Sequence, residues 1–371
     1  MTRLDYTRWL KNFLLNKTGI PRPFNAQIEL TMHCNFRCEF CGIPYNQDFY
    51  AGQEMTLAQI KRVVDDLDAC DITTLSLTGG EPLIRPDVGE IVKYATDKGT
   101  FIVAIATNGW FLEKRLKTGL MDGLEFLLVS LDSVDPKKHD RGRGKAGAWE
   151  RAVAGIREAR RRDVKVIIHN LITTENVDEM EQMAQLAGDL NCMVEFLPCE
   201  DIVRETEKGS YKVEDEYIQR FIPNLQLYAA RALDLMERYK NVTSDPVTVK
   251  VIRDGGFGRK LVDKNRYVYR QRHLRCHVAS AYIFVRYDGS VNWPCKFHPV
   301  LSRSILKFPI QRLYNTEEVR KIQKMKDGFP FCNGCRLGCG IAASLPVEWN
   351  GVYSKYIRAF LRGNLWDDKG H

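Results

Sequence analysis

From Ala26 to about residue 200 the chain alternates short apolar, β-prone runs with helix-length amphipathic stretches. The runs are AQIELT (26–31), TTLSLT (73–78), FIVAIAT (101–107), LEFLLVSLD (124–132), VKVIIHNLIT (164–173) and CMVEFLP (192–198). They are near-continuous in apolar residues, the pattern of strands covered on both faces. Between them, TLAQIKRVVDDLDAC (56–70) and AWERAVAGIREARRR (148–162) place apolar residues at helical spacing. A β-α unit repeated about six times predicts an α/β fold built on a parallel sheet. Near residue 200 the alternation stops. A charged helical pattern follows over roughly 214–240, then a stretch rich in Arg and Tyr. In YIFVRYDGSVNW (282–293) two β-prone runs flank an Asp288-Gly289 turn, a hairpin signal. The predicted organisation is an N-terminal amphipathic segment (1–25), a β/α core (26–200), a helical connecting region (201–272), a small cysteine-bearing domain (273–340) and a C-terminal amphipathic helix (341–371).

Composition narrows the class. A chain of 371 residues suits a large α/β core with an appendage. It is 44% hydrophobic and 27% charged, without 18 consecutive apolar residues, so no membrane-spanning helix is predicted. MTRLDYTRWLKNFLLNKTG has neither the apolar run nor the cleavage site of a signal peptide, and a cytoplasmic location is expected. The net charge of +8 suits an anionic partner and is too mild to require nucleic acid, of which no recognised motif is present.

The 11 cysteines change the picture most. In a reducing compartment an odd number argues against a disulfide framework. Cys34, Cys38 and Cys41 form one group, and Cys276, Cys295, Cys332, Cys335 and Cys339 another. Cys70, Cys192 and Cys199 stand apart and read as small buried hydrophobes. CNFRCEFC (34–41) falls just after the first strand, at the end where parallel β/α folds gather their chemistry. Two readings of three clustered thiols compete. A closed zinc site needs a fourth ligand, for which His33 is the neighbour. An iron–sulfur cubane held by three thiolates leaves one iron open to a cofactor or substrate. TGGEPL (78–83) ends the second strand run, where two glycines let backbone approach a ligand closely, or simply make a turn.

Together CNFRCEFC and TGGEPL resemble the radical SAM superfamily, with Phe40 as the aromatic before the last cysteine. The resemblance implies a partial (β/α)6 barrel in which Cys34, Cys38 and Cys41 hold a [4Fe-4S] cluster. S-adenosylmethionine (SAM) would chelate the fourth iron through its amino and carboxylate groups. One electron would then cleave SAM to methionine and a 5′-deoxyadenosyl radical that removes a substrate hydrogen. Gly79, Gly80 and Glu81 match the family's GGE motif, whose role is to hold the methionyl amino group. Thr107, Asn108, Ser130, Asp132 and Asn170 lie at or near later strand ends, where polar residues face ligands or form turns and caps. By resemblance, Ser130 and Asp132 take the place of the SAM-ribose contacts, and Arg143 is a candidate for bidentate binding of the SAM carboxylate.

The second cysteine group resembles the SPASM/Twitch auxiliary domains of one branch of that superfamily, through a C-x12-G-x5-C layout around Gly289 and the later FCNGCRLGC. It departs from the full SPASM pattern of seven cysteines and two clusters. The expected arrangement is one auxiliary [4Fe-4S] cluster on Cys276, Cys295, Cys332 and Cys335, with Cys339 able to replace any of them; a zinc ribbon is the alternative. Such a cluster could accept an electron in a substrate oxidation, anchor the substrate, or supply an electron in a redox-neutral epimerisation. The function expected is a radical SAM oxidoreductase acting on a small anionic or lipid-linked substrate and reduced by a flavodoxin or ferredoxin. A peptide maturase is disfavoured by the roughly 25 residues ahead of the first strand, too few for a precursor-binding module. A non-enzymatic zinc- or cluster-bearing interaction protein would have no use for the GGEP motif. Cys199 is a candidate radical-quenching residue. Finally, Tyr6, Trp9, Leu10, Phe13 and Leu14 share one helical face, as do Tyr353, Tyr356, Ile357, Phe360 and Leu361 opposite Lys355, Arg358 and Arg362. Both helices either pack on the core or lie in a membrane interface as a peripheral contact.

Overall fold

The computed structural model describes residues 6–41, 54–119, 123–200, 202–205, 211–213, 219–257, 275–326, 328–332, 334–345 and 347. Six strands, β1 (Asn25–Thr31), β2 (Thr74–Gly79), β3 (Ile102–Thr107), β4 (Phe126–Ser130), β5 (Lys165–Ile172) and β6 (Met193–Pro198), pair in parallel in chain order. Helix α1 (Tyr6–Lys17) precedes them. The crossovers carry α2 (Leu57–Asp68), α3 (Val88–Asp97), α4 (Leu112–Lys117), α5 (Pro136–Arg143), α6 (Ala148–Arg161) and α7 (Met180–Asp189). The strands and the two long helices fall within two residues of the positions predicted by pattern.

The two faces of the sheet differ. Ala26, Ile28 and Leu30 of β1, Leu75 and Leu77 of β2, and Val103 and Ile105 of β3 are buried with Ile60, Val63, Val64 and Leu67 of α2. Thr56 starts that helix with a capping box to Gln59, which satisfies two orphan backbone donors. The intervening residues, among them Gln27, Glu29, Ser76, Thr78, Ser130 and His169, line a polar inner face. There His169 stands opposite Glu195 in register, Nε2 to Oε2 at 3.2 Å.

Beyond β6 the chain forms an antiparallel pair, β7 (Ile202–Glu205) with β8 (Tyr211–Val213), that the sequence pattern did not reveal. Helices α8 (Leu225–Arg238) and α9 (Pro246–Arg253) supply the predicted helical region. The C-terminal part contains α10 (Val278–Ala281), β9 (Tyr282–Val285), β10 (Ser290–Pro294), β11 (Pro299–Ser304), α11 (Ile310–Tyr314), α12 (Glu317–Met325) and α13 (Gly338–Ser344). The predicted hairpin is β9–β10, closed at Gly289 with φ +77°.

This part is not detached from the core. Strand β9 pairs in parallel with β1, giving one sheet in the order β11-β10-β9-β1-β2-β3-β4-β5-β6. Ile283, Val285, Val291, Trp293 and Ile305 belong to the same apolar core as β1. The physical reason is the exposed edge that β1 would otherwise present, a row of unpaired N–H and C=O groups.

Helix α1 divides its apolar residues. Trp9 stacks on Phe13 at 5.4 Å and both pack on Phe24, whereas Leu10 and Leu14 are 49% and 53% exposed. Asn12 takes a fully buried place by donating to the carbonyls of Pro23 and Asp71. The apolar residues expected on one face of the helical wheel thus divide between the core and the surface. The aromatic pattern from Tyr353 to Leu361 lies outside the described residues. Among the described residues no helix is long and apolar enough to cross a membrane.

Candidate active site

The exit of β1 and the exit of β2 interlock. Gly80 donates its N–H to the Thr31 carbonyl at 2.7 Å, and Glu81 donates to the His33 carbonyl at 2.8 Å. A Cβ on Gly79 would lie 2.1 Å from the Thr31 oxygen, and one on Gly80 2.3 Å from the His33 oxygen. The glycines were expected to admit a ligand. Here the backbone they admit is that of residues 31–33, which leads directly into Cys34. Gly79 also has φ +141°, a conformation that disfavours a side chain.

Glu81 extends this clamp to β3. Its carboxylate is fully buried and accepts from Leu83 N at 3.0 Å, Thr107 Oγ1 at 2.8 Å and Asn108 N at 2.7 Å. Burial pushes its pKa up to about 7, against these donors and the Arg143 charge. Asn108 continues the chain of contacts, its Nδ2 donating to Asn35 Oδ1 at 2.9 Å and lying 3.9 Å from Cys34 Sγ. Glu54 closes the other side of the loop by accepting from Thr31 Oγ1 and from Met32 N. No sequence motif announces Glu54, which precedes α2 and reaches the exit of β1 only in the fold.

The three thiols share one apolar nest with Phe36, Phe40, Trp110 and Ala148. Burial raises Cys34 to about 11 and Cys38 to about 12, and the charge of Cys41 adds to both. Isolated thiolates are therefore disfavoured here, and a cationic iron–sulfur core is the partner that would stabilise them. This donor set fits such a cluster.

Arg143 lies against the group. Its guanidinium grips Asp132 with two bonds, Nε to Oδ2 at 2.6 Å and Nη2 to Oδ1 at 2.7 Å, and stacks 5.2 Å from the Phe40 ring centre. Burial works against its charge, but the Asp132 carboxylate outweighs this and holds its pKa above the usual range. Asp132 additionally accepts from Leu171 N, while its own N–H donates to Nδ1 of His139. His139 is therefore a neutral imidazole, and burial pulls its pKa down to about 4. Of the remaining expected contacts, Ser130 ends β4 on the inner face. Asn170 turns to the opposite, buried face and braces β4 by donating to the Leu131 carbonyl at 2.8 Å. That is a structural task, visible only once the strand's two faces are assigned. Cys199 is buried after β6 beside Phe221, Phe40 and Leu171, which brings it to the same region as the first cysteine group.

The second group assembles from four segments. Cys276 senses the charges of Cys335, Cys295 and Cys332, and Cys339 lies near enough to Cys295 and Cys335 for their charges to act on one another. Burial raises Cys276 and Cys295, and brings Cys335 to about 12. The turn at 332–335 is fixed by paired bonds, Phe257 N to the Cys335 carbonyl at 2.8 Å and Gly334 N to the Phe257 carbonyl at 2.7 Å. Gly256 is required beneath it, since a Cβ there would meet the Cys335 oxygen at 2.1 Å. His277 N donates to Ser344 Oγ, and Glu200 at the exit of β6 accepts from Gly338 N at 2.9 Å. The five cysteines thus lie in one part of the fold, near enough for their charges to act on one another. Cys339, expected as a spare, is the exposed member.

Comparison with known proteins agrees with this geometry. The profile described as "Radical SAM superfamily" matches residues 28–187. The chain is 30% identical over 323 residues to the AdoMet-dependent heme synthase of Methanosarcina barkeri, covering 83% of this chain and 89% of that protein. It is 29% identical over 221 residues to the pre-heme d1 synthase of Dinoroseobacter shibae, covering 59% of this chain and 53% of that protein. The fold is similar to that of Streptococcus suis SuiB bound to S-adenosylmethionine, with a TM-score of 0.61, 14% identity, and coverage of 92% of this chain and 74% of the other. The protein belongs to the radical SAM superfamily, whose members bind a [4Fe-4S] cluster and SAM. The similarity in fold extends through its C-terminal auxiliary part.

Proposed function

We propose that the protein is a radical SAM oxidoreductase with two [4Fe-4S] clusters, acting on a small anionic substrate of tetrapyrrole type. In this reading Cys34, Cys38 and Cys41 hold the SAM-binding cluster, and Cys276, Cys295, Cys332 and Cys335 the auxiliary one. Bound SAM and its cluster would supply hydrogen-atom abstraction. The chain's own residues orient and enclose: Asn108 and Glu81 hold the cysteine loop to β2 and β3, and Arg143 balances Cys38 and Asp132.

The observation that carries the reading is the link between the two cysteine groups. Glu29 on the inner face of β1 lies five residues before Cys34, and Lys296 directly follows Cys295. The Lys296 ammonium bonds the Glu29 carboxylate, with Arg286 3.7 Å from its second oxygen and the Phe284 ring 4.4 Å beneath the ammonium. Two cations facing one carboxylate leave a net positive charge over an aromatic ring, on segments that adjoin both cysteine groups, which suits a carboxylate-bearing substrate whose oxidation passes an electron to the auxiliary cluster. The names of the heme synthase and pre-heme d1 synthase relatives favour the tetrapyrrole class.

Iron and sulfide are to be measured after anaerobic reconstitution, with SAM and dithionite added. Wild type is expected to carry about eight irons and the Cys34→Ala/Cys38→Ala/Cys41→Ala variant about four, with 5′-deoxyadenosine formed by wild type alone. Zinc in place of iron and no SAM cleavage would refute the enzyme reading. A 5′-deoxyadenosine yield indifferent to an iron porphyrin with free carboxylates would refute the substrate class.

A further inference from the structure

The rear of the first cysteine loop is cationic. Trp110, just past β3, meets Phe36 edge-on at 5.7 Å and 82°, and Phe36 is buried between Cys34 and Cys38. On the other side, the half-buried Trp110 ring carries two cations, the Lys145 ammonium at 4.7 Å and the Arg151 guanidinium at 4.3 Å from its centre. Arg37, exposed within the cysteine loop itself, extends the patch, since its carbonyl lies against Gly144, one residue before Lys145. The neighbouring Asp140 is occupied by the N–H groups of Gly147 and Trp149. None of Arg37, Lys145 and Arg151 pairs with a carboxylate among the described residues.

We infer that this patch is the docking surface for an acidic one-electron carrier protein. The inference rests on the radical SAM chemistry proposed above, which consumes one external electron per SAM cleaved. The electron must enter where the surface comes closest to the cluster-holding thiols. Here the cations lie over Trp110, which packs with Phe36 in the same apolar nest as Cys34, Cys38 and Cys41. Opposite charge steers and orients such an encounter, whereas a small reductant needs no dock.

Binding of oxidised flavodoxin to the full chain, read by isothermal titration at low and high salt, tests the surface without relying on turnover. Lys145→Glu/Arg151→Glu is expected to weaken binding at least tenfold at low ionic strength, and salt should narrow the difference between variant and wild type. With the reconstituted enzyme, flavodoxin-driven 5′-deoxyadenosine formation should fall in parallel, while the dithionite-driven rate stays within about twofold of wild type. A variant that binds flavodoxin as wild type does overturns the inference, as does a wild type that binds none. An equal loss with dithionite would mean that the patch acts on the cluster's surroundings, and also overturns it. Absence of dithionite-driven cleavage in wild type, by contrast, defeats the proposed function and leaves the binding result to stand alone.

Discussion

The Asp132–Arg143 pair offers the most decisive perturbation, because almost nothing else in its surroundings can replace either partner. Their side chains are only 9% and 11% exposed, and the fork-to-fork geometry uses both carboxylate oxygens. Arg143→Met keeps most of the packing against Phe40 but leaves a buried carboxylate whose remaining donor among the described residues is Leu171 N. Removing one member of such a pair costs about 3–5 kcal/mol, mainly from the uncompensated charge. With a urea dependence of about 3 kcal/mol per molar, the midpoint should fall by about 1 M or more. The double variant Arg143→Met/Asp132→Asn removes the stranded charge as well, and should be more stable than Arg143→Met alone. Arg143→Lys should fall between, since an ammonium cannot reproduce the planar fork. The assay is anaerobic urea unfolding followed by tryptophan fluorescence. A single variant within 1 kcal/mol of wild type, or a double variant whose loss is the sum of its parts, would refute the assignment of this pair as a coupled anchor.

Two further outcomes follow from the same physical reasoning. Gly80→Ala must push the β1 exit away by breaking its fit against His33, at a cost of about 1–3 kcal/mol. It should lower iron content by about half while sparing the auxiliary cluster, whereas Gly188→Ala, with 3.8 Å to its nearest neighbour, should be neutral; unchanged iron in Gly80→Ala would contradict the clamp. His139 is neutral in the fold down to about pH 4 but titrates near 6.5 when unfolded, so the unfolded chain binds more protons between those values. Stability should therefore fall as pH drops through that window, by about 2 kcal/mol between pH 7 and 5, and His139→Gln should flatten this slope. Parallel slopes for the two proteins in urea titrations would count against a buried, neutral His139.

What the sequence determined by itself is whatever depends on local pattern. The β-prone runs marked β1 to β6, although their apolar residues alternate with polar ones that face inward, so the expectation of strands covered by apolar packing on both faces does not hold. The turn at Asp288-Gly289 was legible because only a few residue pairs tolerate its backbone. Cys34, Cys38 and Cys41 were legible as a unit because one loop carries all three, and the C-terminal cysteines only through their resemblance to an auxiliary domain, since their spacing by itself also permits a zinc ribbon. Tertiary structure decided everything that requires two distant segments to meet. That β9 docks on the edge of β1 follows from edge pairing, which leaves no mark in either segment. The side to which Asn170 points depends on the face β5 turns to its neighbours, and one residue of register would reverse it. The glycines of the GGE motif are needed because residues 31–33 occupy the space a side chain would take. Glu29 with Lys296, and Trp110 beneath Lys145 and Arg151, are ordinary residues in the sequence. They gain meaning only from the fold, because Coulomb and packing forces act over a few ångströms in space and are blind to separation along the chain.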